Sequence, residues 1–530
     1  MEHNEAAKFE KITIESYNGT EPFLFVSYSH KDSKEVSRIL EYIDKEKFRM
    51  WYDDTMEIGE DFREELRSKI ESCCAVLLFL SKSSLNSKYC GMEIITAFKY
   101  NKRIYPFYLE ENVEIPAALK MILENLQHVT GTAVAANKKY LQKLVSSLPI
   151  EAMKALHMEG DVLVKCKDGS PEIRIPKDVV AIGNSAFKNC EKLERLIIGE
   201  NLKSLGSESF RGSKRLERLD LPDTVKKIGD SAFRDCIGLT EVTITNDDIE
   251  IGERAFENCA ELSSVSLPSG MAEIYGGVFN SCKSLEDIKL PSGLTIIGES
   301  SLADCVKLKR IDVPFGVTKI DDMAFNGCIG LERINLPATV TKIGKNVFKD
   351  CVSLQNITIP ASVSAIGTSP FRGCTGLRSI SVDPKSRYYK SVNDILFNKN
   401  KSVLICYPAA CNSKEFTVPD SVTVISDWAF CDCYFLEKII IPDSVSEIGE
   451  GAFYRCESLR SVELPDSVTK IDDTAFRGCT RLEKLVVPDS VKDFGWGVLN
   501  GCENVTVICN DHSAAAAYCE RKNIKHCESL

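Results

Sequence analysis

Residues 216–238 read LERLDLPDTVKKIGDSAFRDCIG, and this 23-residue unit returns many times between residue 161 and the end of the chain. Cysteines mark the period at Cys236, Cys259, Cys282, Cys305, Cys328, Cys351 and Cys374, and again at Cys433, Cys456, Cys479 and Cys502. A phenylalanine stands three residues before nearly every one of these cysteines. A fixed period of this length is typical of a solenoid, in which each repeat forms one turn of the backbone.

The unit predicts one short strand followed by a turn. Leu216, Leu219 and Leu221 alternate with charged residues, as in a strand with one buried face. Pro222 ends the strand, because it has no N–H to donate. The other apolar positions complete the interior of the coil: Val225, Ile228, Ala232, Phe233, Cys236 and Leu239. One coil cannot bury these groups alone, so we expect stacked coils to share a core.

The 22 cysteines allow two interpretations. Strands of neighbouring coils lie about 4.8 Å apart, so stacked cysteines would come within reach of disulfide bonds. However, Ser213 takes the cysteine position in one coil, which indicates that the position requires a small side chain. Free cysteine packs as a small hydrophobic residue, so we expect free thiols in a reducing compartment.

The repeat is interrupted once and then ends in a different pattern. Between Cys374 and Cys433, residues 383–415 carry apolar stretches around a polar turn at 398–401, which predicts a β-hairpin insert of structural role or a contact for a partner. Near the C-terminus, Cys509, His512, Cys519, His526 and Cys527 have spacings that fit no standard zinc site, so we expect no metal. Ser513 and the alanines after it predict a capped helix, with residues 511–530 sealing a solenoid that spans 161–510.

Residues 20–148 lack the period and alternate between apolar strands and amphipathic helices. The expected strands are Phe23–Val26, Phe48–Tyr52, Ala75–Leu80, Arg103–Leu109 and Leu126–Val129, and the expected helices are Glu35–Lys45, Asp61–Ser72 and Lys88–Tyr100. This alternation predicts an α/β fold with a doubly wound parallel sheet covered by helices on both faces. A site is expected beyond the carboxyl ends of the strands, and residues 149–160 are expected to be a linker.

The two halves resemble two known families. Units such as 459–479 resemble the BspA-type leucine-rich repeat, which reads L-x-x-I-x-L-P-x-x-V-x-x-I-G-x-x-A-F-x-x-C. FVSYSHKD (25–32), MWYDD (50–54) leading to Gly59, and LFLS (78–81) with SKYCGME (87–93) resemble three blocks of bacterial Toll/interleukin-1 receptor (TIR) domains, which have a flavodoxin-like fold. Tyr89 stands where the TIR family usually has tryptophan, while Cys90 and Glu93 match.

The TIR resemblance implies cleavage of NAD⁺ at the nicotinamide bond, with Glu93 as the catalytic residue and NAD⁺ as a substrate rather than a cofactor. It also implies a set of substrate-binding residues: Tyr28, Ser29, Trp51, Asp53, Gly59, Ser81, Tyr89 and Cys90. Trp51 fits the sheet core better than a substrate wall, and Asp53 either binds ribose or begins a turn. From spacing alone, Glu93 is a solvated charge in a first helical turn, where the helix dipole favours it.

Charge and hydropathy exclude some classes of function. Lys plus Arg is 66 and Asp plus Glu is 77, a net charge of −11, so nucleic acid is not expected to be the main partner. No run approaches the roughly 20 apolar residues that span a membrane, and residues 1–16 lack the apolar core of a secretory signal. We therefore expect a cytoplasmic location.

Together these patterns predict an intracellular sensor–effector. The repeats would recognise a ligand or protein partner through the outer face of their strands, and the TIR domains would self-associate and cleave NAD⁺ when clustered. A non-catalytic adaptor that signals through contacts between TIR domains is one alternative. A surface adhesin is another, because BspA-type repeats often bind host proteins.

Overall fold

A computed structural model describes residues 12–19, 22–53, 60–110, 113–123, 126, 129–130, 138–149, 156–166, 171–175 and 177–528. They fall into two compact units. The first lies within residues 1–170 and 174–186, and the second within 171–173 and 187–530. Among the described residues, no helix is both long and apolar enough to cross a bilayer.

The first unit contains the predicted parallel sheet. Its strands are β1 (Leu24–Ser27), β2 (Met50–Tyr52), β3 (Ala75–Leu80), β4 (Arg103–Tyr108) and β5 (Val129–Thr130). Its helices are α1 (Ser33–Lys45), α2 (Glu60–Ser72), α3 (Lys82–Leu85), α4 (Lys88–Lys99), α5 (Ala117–Leu123) and α6 (Lys138–Ser147), with a 3-10 turn at His30–Asp32. The strand order is β2-β1-β3-β4-β5 with parallel pairing throughout, which confirms the doubly wound fold.

Apolar layers cover both faces of this sheet. Leu24 and Val26 of β1 face one layer together with α1 and α6, whereas Phe25 faces the other layer with α2, α4 and α5. Successive residues of a strand point to opposite faces, so a strand buried on both faces has to be continuously apolar. All six residues of β3 are buried for this reason.

The first unit also contains a hairpin that follows the sheet in sequence. The strand Leu156–Glu159 pairs antiparallel with Val162–Cys166, which in turn pairs parallel with Ala181–Ile182. Leu156 is 3% exposed. Residues 156–159 therefore belong to a sheet, although they lie in the stretch that we expected to be a linker. A further strand, Glu172–Arg174, lies at the division between the units.

The second unit is a solenoid of 23-residue coils with two series of parallel strands. The first series comprises Arg195–Ile197, Arg218–Asp220, Glu241–Thr243, Ser264–Ser266, Arg310–Asp312, Arg333–Asn335, Asn356–Ile359, Ser379–Val382, Glu415–Thr417, Lys438–Ile440, Ser461–Glu463, Lys484–Val486, Thr506–Ile508 and Lys525–Cys527. The second comprises Ser204–Leu205, Lys227–Ile228, Glu250–Ile251, Glu273–Ile274, Ile296–Ile297, Lys319–Ile320, Lys342–Ile343, Ala365–Ile366, Val424–Ile425, Glu447–Ile448, Lys470–Ile471 and Asp493–Phe494. Residues 23 apart are partners, as Arg218 is of Glu241, so the sequence period sets the register.

The repeated phenylalanines form a column of stacked rings in the core. Phe210 and Phe233 lie 5.1 Å apart with nearly parallel rings, at 2°. Leu302 occupies this position in one coil and is fully buried. The predicted inward positions of the unit 216–239 are all buried, which confirms the arrangement derived from the sequence.

The repeated cysteines have a second role besides packing. All 22 cysteines lie in the described residues, and each is a free thiol. Cys236 donates its Sγ–H to the carbonyl oxygen of Phe210, 26 residues earlier, at 3.1 Å, and its counterparts repeat this contact. Ser213 donates to the Phe187 carbonyl in the same way, at 2.9 Å. The position therefore requires a small donor, which explains why serine substitutes for cysteine there.

The insert contains one strand more than the hairpin that we predicted. Tyr389–Val392 pairs antiparallel with Ile395–Asn398, and that strand pairs antiparallel with Val403–Cys406. Ile395, Leu396 and Phe397 are buried, so this strand of the insert belongs to the core. After it, Tyr407 takes the phenylalanine position and stacks on Phe430 at 5.1 Å.

The solenoid ends in the predicted capped helix, α7 (Ala514–Lys522). The Ser513 hydroxyl accepts a hydrogen bond from the Ala516 N–H at 3.1 Å, and Tyr518 stacks on Phe494 at 4.8 Å. No group of three or more His, Cys, Asp or Glu side chains within the described ranges is arranged to hold a metal ion.

Candidate active site

The order of the strands reverses between β1 and β3, and polar residues gather at their carboxyl ends. Ser27 is the last residue of β1, and Tyr28, Ser29 and His30 follow it. Ser81 follows β3. In doubly wound sheets, ligands bind in the crevice at this reversal.

Helix α4 brings Glu93 to this place. The Ser87 hydroxyl caps the helix by accepting from the Cys90 N–H at 3.4 Å, so Glu93 lies in the second turn. Glu93 is 8% exposed, and its Oε2 accepts a hydrogen bond from the Ser27 hydroxyl at 2.5 Å. The expectation of a solvated charge in an exposed first turn is wrong, because Cys90, Glu93 and Ile94 share the buried face of α4.

Burial controls the charge of Glu93. Loss of water raises the pKa of Glu93 from its ordinary value of 4.5 to about 7. The hydroxyl of Ser27 and the nearby His30 act in the opposite direction, whereas the negative charge of Asp53 adds to the rise. Near neutral pH this carboxyl group is therefore only partly ionised.

The segments after β1 and β2 meet beside this carboxyl group. His30 Nε2 lies 3.8 Å from Asp53 Oδ2, and the Tyr28 hydroxyl donates to the Asp53 carbonyl oxygen at 3.5 Å. The rings of Tyr28 and His30 meet edge to face with centroids 5.5 Å apart. Tyr28 and Asp53 are thus close together, as expected from the sequence, and His30 joins them.

Ser81 and Ser29, both expected to bind the substrate, form hydrogen bonds within the protein at the starts of helical segments. Ser81 donates to Oδ2 of the buried Asp32 at 2.5 Å and also forms a capping box with Ser84 at the start of α3. Burial raises the pKa of Asp32, while the hydrogen bond from Ser81 lowers it. Ser29 caps the 3-10 turn by accepting from the Lys31 N–H at 3.4 Å.

The remaining candidates differ in their surroundings. Cys90 is buried, and its Sγ–H donates to the Tyr28 carbonyl oxygen at 3.4 Å. Burial raises the pKa of this thiol to about 12, so Cys90 is not suited to act as a thiolate nucleophile. Tyr89, one turn before Glu93, is 39% exposed. Trp51 packs in the core, 5% exposed and stacked on Phe25 at 5.0 Å. Gly59 lies outside the described residues.

The sequence places His30 at the crevice together with Tyr28 and Ser29, but it assigned no role to Ser27 or Asp32. A signal was present for both, because they stand at the end of β1 or just after it, where a doubly wound sheet places its site. Which hydroxyl meets which carboxylate depends on the tertiary structure, because the partners lie 66 and 49 residues apart.

Comparison with known families matches both parts of the chain. A model of the TIR domain matches residues 24–145. A model described as the BspA type leucine rich repeat region matches residues 165–284, 208–328, 297–404 and 405–519. No curated protein matches the sequence.

Several solved structures are similar to this chain. A leucine-rich repeat protein from Bacteroides ovatus is 28% identical, covers 69% of this chain and 86% of its own, and has a TM-score of 0.44. A leucine rich cell surface protein from Faecalibacterium prausnitzii is 25% identical, covers 73% of this chain and 100% of its own, and has a TM-score of 0.47.

Proposed function

The chain belongs to the BspA-type leucine-rich-repeat family and carries a TIR domain before its repeats, and on this basis we propose that it is a sensor–effector that cleaves NAD⁺. The repeats recognise a ligand or a protein partner, and the TIR domain cleaves the nicotinamide–ribose bond when chains cluster. One observation carries the proposal: the buried Glu93 carboxyl group is held by Ser27 at the carboxyl end of β1.

The reaction suits a site with a single carboxylate. The nicotinamide of NAD⁺ carries a positive charge, so it leaves as a neutral molecule with the bonding electron pair and needs no general acid. The ribose is left as an oxocarbenium-like cation, which a nearby carboxylate stabilises. Attack by water then gives ADP-ribose and a proton, whereas attack by a nitrogen of the adenine ring gives a cyclic product.

The charge state of Glu93 is compatible with this role. With a pKa of about 7, a substantial fraction of Glu93 is ionised at neutral pH. A carboxylate in a partly dehydrated crevice interacts with a developing cation more strongly than a carboxylate in water does. Cys90, Ile94 and Ala97 are buried on the same helix as Glu93.

The outer face of the first strand series supports the sensor role. Its side chains are polar and of mixed charge, as in Arg218 and Asp220, which form an exposed ion pair at 3.2 Å. A groove of about 550 Å³ lies on this face, lined by Arg333, Asn335, Gln355, Asn356 and neighbouring residues. Mixed polar surfaces of this kind fit a protein partner better than nucleic acid.

The proposal places the protein in a reducing compartment, the cytoplasm. Neighbouring coils align the thiols of Cys236, Cys259 and Cys282 along the core, each engaged with a backbone carbonyl. Such a series persists as free thiols where thiols are kept reduced.

A non-catalytic adaptor is the second candidate, and one surface favours it. The outer face of α4 exposes Tyr89, Met92, Ile95 and Phe98 by 39, 40, 51 and 55%. Large apolar side chains grouped on one face are typical of a protein contact. In this alternative, α4 binds another TIR domain, and Glu93 has no chemical role.

One experiment separates the two candidates. Purified full-length protein is fused to an inducible dimerisation tag, and NAD⁺ and nicotinamide are quantified with and without the inducer. We expect NAD⁺ to disappear with equimolar release of nicotinamide, faster after clustering, and only background loss in the Glu93→Gln variant. If clustered wild-type protein consumes no more NAD⁺ than the variant, the adaptor replaces the enzyme.

A further inference from the structure

Ser27 is the only residue in the described ranges that forms a hydrogen bond with the carboxyl group of Glu93. Ser27 is 1% exposed, and its backbone pairs with Leu78 of β3. The sheet therefore fixes the position of the backbone that carries the hydroxyl. Oε2 of Glu93 accepts this bond, whereas no side chain in the described ranges donates a hydrogen bond to Oε1. The two oxygens therefore have different environments.

We propose that Ser27 is a positioning residue, which binds Oε2 of Glu93 and thereby leaves Oε1 to face the ribose of the substrate. The inference rests on the proposed NAD⁺ cleavage. A glutamate side chain rotates about three bonds, and a carboxylate that rotates freely has to be ordered before each reaction. A hydrogen bond from a rigid strand removes that rotation in advance.

The same hydrogen bond also favours the charged form of the carboxyl group. A hydroxyl that donates to a carboxylate stabilises it relative to the neutral acid, and Ser27 acts on Glu93 in this direction, against burial. His30 acts in the same sense as Ser27, and Asp53 acts against both. Removal of the hydroxyl therefore leaves a carboxyl group that is both less ordered and more often protonated.

If the role of Ser27 were purely structural, its replacement would mainly lower the stability of the fold. The fold contains a comparable pair, Ser81 with Asp32, in which the serine also caps α3. Ser27 caps no helix in the described ranges, because Ser29 is the N-cap of the 3-10 turn and Ser87 is the N-cap of α4. The hydrogen bond of Ser27 thus contributes little to secondary structure, and its loss should affect Glu93 more than the stability of the fold.

The test compares Ser27→Ala, Ser27→Thr and the control Ser72→Ala in the full chain. Ser72 is exposed on α2, and its hydroxyl binds only carbonyls of its own helix. For Ser27→Ala we expect kcat to fall roughly ten- to a hundredfold, the range for a lost hydrogen bond to a charged group, with KM changed less than about threefold. The acid limb of the pH–rate profile should move up by about one unit.

Either of two kinetic outcomes overturns the proposal. The first is that Ser27→Ala has the same pH–rate profile as the wild type. The second is that Ser27→Thr, which keeps the hydroxyl, loses as much kcat as Ser27→Ala. Thermal unfolding shows whether each variant folds. If the wild-type protein cleaves no NAD⁺, the proposed function fails, but the hydrogen bond between Ser27 and Glu93 can still be tested. The Glu93 carboxyl band is identified in infrared spectra by subtracting the spectrum of Glu93→Gln. This band should titrate at higher pH in Ser27→Ala than in the wild type. An unshifted band also overturns the proposal.

Discussion

The hydroxyl of Ser27 lies 2.5 Å from Oε2 of Glu93, although 66 residues separate them in sequence. The hydroxyl of Ser81 lies at the same distance from Oδ2 of Asp32, 49 residues away. One bond joins the end of β1 to α4, and the other joins the residue after β3 to the segment that follows β1. The two bonds cross the reversal of the sheet and hold both sides of the crevice together.

Burial of Glu93 predicts that removing its charge stabilises the protein at alkaline pH. Glutamate in the unfolded chain has a pKa near 4.5, and the folded value is about 7, so the folded state binds the proton more tightly. Stability therefore falls as pH rises from about 4.5 to about 7 and stays reduced above this range. At pH 8, the free energy of unfolding of Glu93→Gln should exceed that of the wild type by about 3 kcal/mol. At pH 4.5, the two free energies of unfolding should be nearly the same.

Chemical denaturation at the two pH values measures this difference. Glu64→Gln is the matched control, because Glu64 is exposed on α2 and should show little change at either pH. Equal stability of Glu93→Gln and wild type at pH 8 would show that the buried carboxyl group is better solvated than its 8% exposure implies.

The free thiols predict a large difference between native and denatured protein. Only Cys74, Cys190, Cys411 and Cys527 are half-buried, and the others are buried, so few thiols should react rapidly with a thiol reagent in the native state. In denaturant without reductant, all 22 should react. A clear deficit in denaturant would reveal disulfides, place the protein in an oxidising compartment and support an adhesin.

The phenylalanine column predicts a large and local effect on stability. Phe348 is fully buried and stacks at 5.9 Å on Phe325 and at 5.6 Å on Phe371. Phe348→Ala should lower the free energy of unfolding of the solenoid by about 3–5 kcal/mol. Phe315→Ala is the control, because Phe315 is 74% exposed, and its loss should cost less than about 0.5 kcal/mol. Similar midpoints in urea for the two variants would contradict this packing.

The outer face of the first strand series predicts an effect on partner binding without an effect on folding. Arg310 and Arg333 are paired neighbours, and Arg310 makes only an exposed ion pair, at 3.8 Å from Asp287. Arg310→Glu with Arg333→Glu should change clustering or partner capture, measured by light scattering, with less than about 1 kcal/mol lost in stability. The control is Lys203→Glu with Lys226→Glu, an exposed pair outside this strand series. Identical behaviour of both double variants would exclude this face as the recognition surface.

The sequence predicted the elements that depend on local patterns. The spacing of Val36, Ile39, Leu40 and Ile43 predicted α1, and the apolar run at 75–80 predicted β3 with the bounds that the structure has. From its place near the start of α4, Glu93 was expected to be a solvated charge. Cys90, Ile94 and Ala97 already marked the buried face of α4 on which it lies.

Other features could not be derived from local patterns. The turn at Asn393 and Asp394 has two left-handed residues, with φ of 50° and 66°, and joins two strands of which only the second was expected. The donor role of Cys236 toward Phe210 depends on the backbone of the neighbouring coil, so it becomes apparent only when coils are stacked. Contacts of this kind depend on the tertiary structure.

The cysteine hydrogen bond also shows how the array can change in length. The Sγ–H of most repeated cysteines reaches a carbonyl of the coil before it, as Cys259 reaches Phe233 at 3.2 Å and Cys282 reaches Phe256 at 3.3 Å. A duplicated segment of 23 codons therefore inserts a coil that fits its neighbours without further substitutions. Each such duplication lengthens the outer face by about 4.8 Å, so gene duplication can adjust the reach of the protein in equal steps.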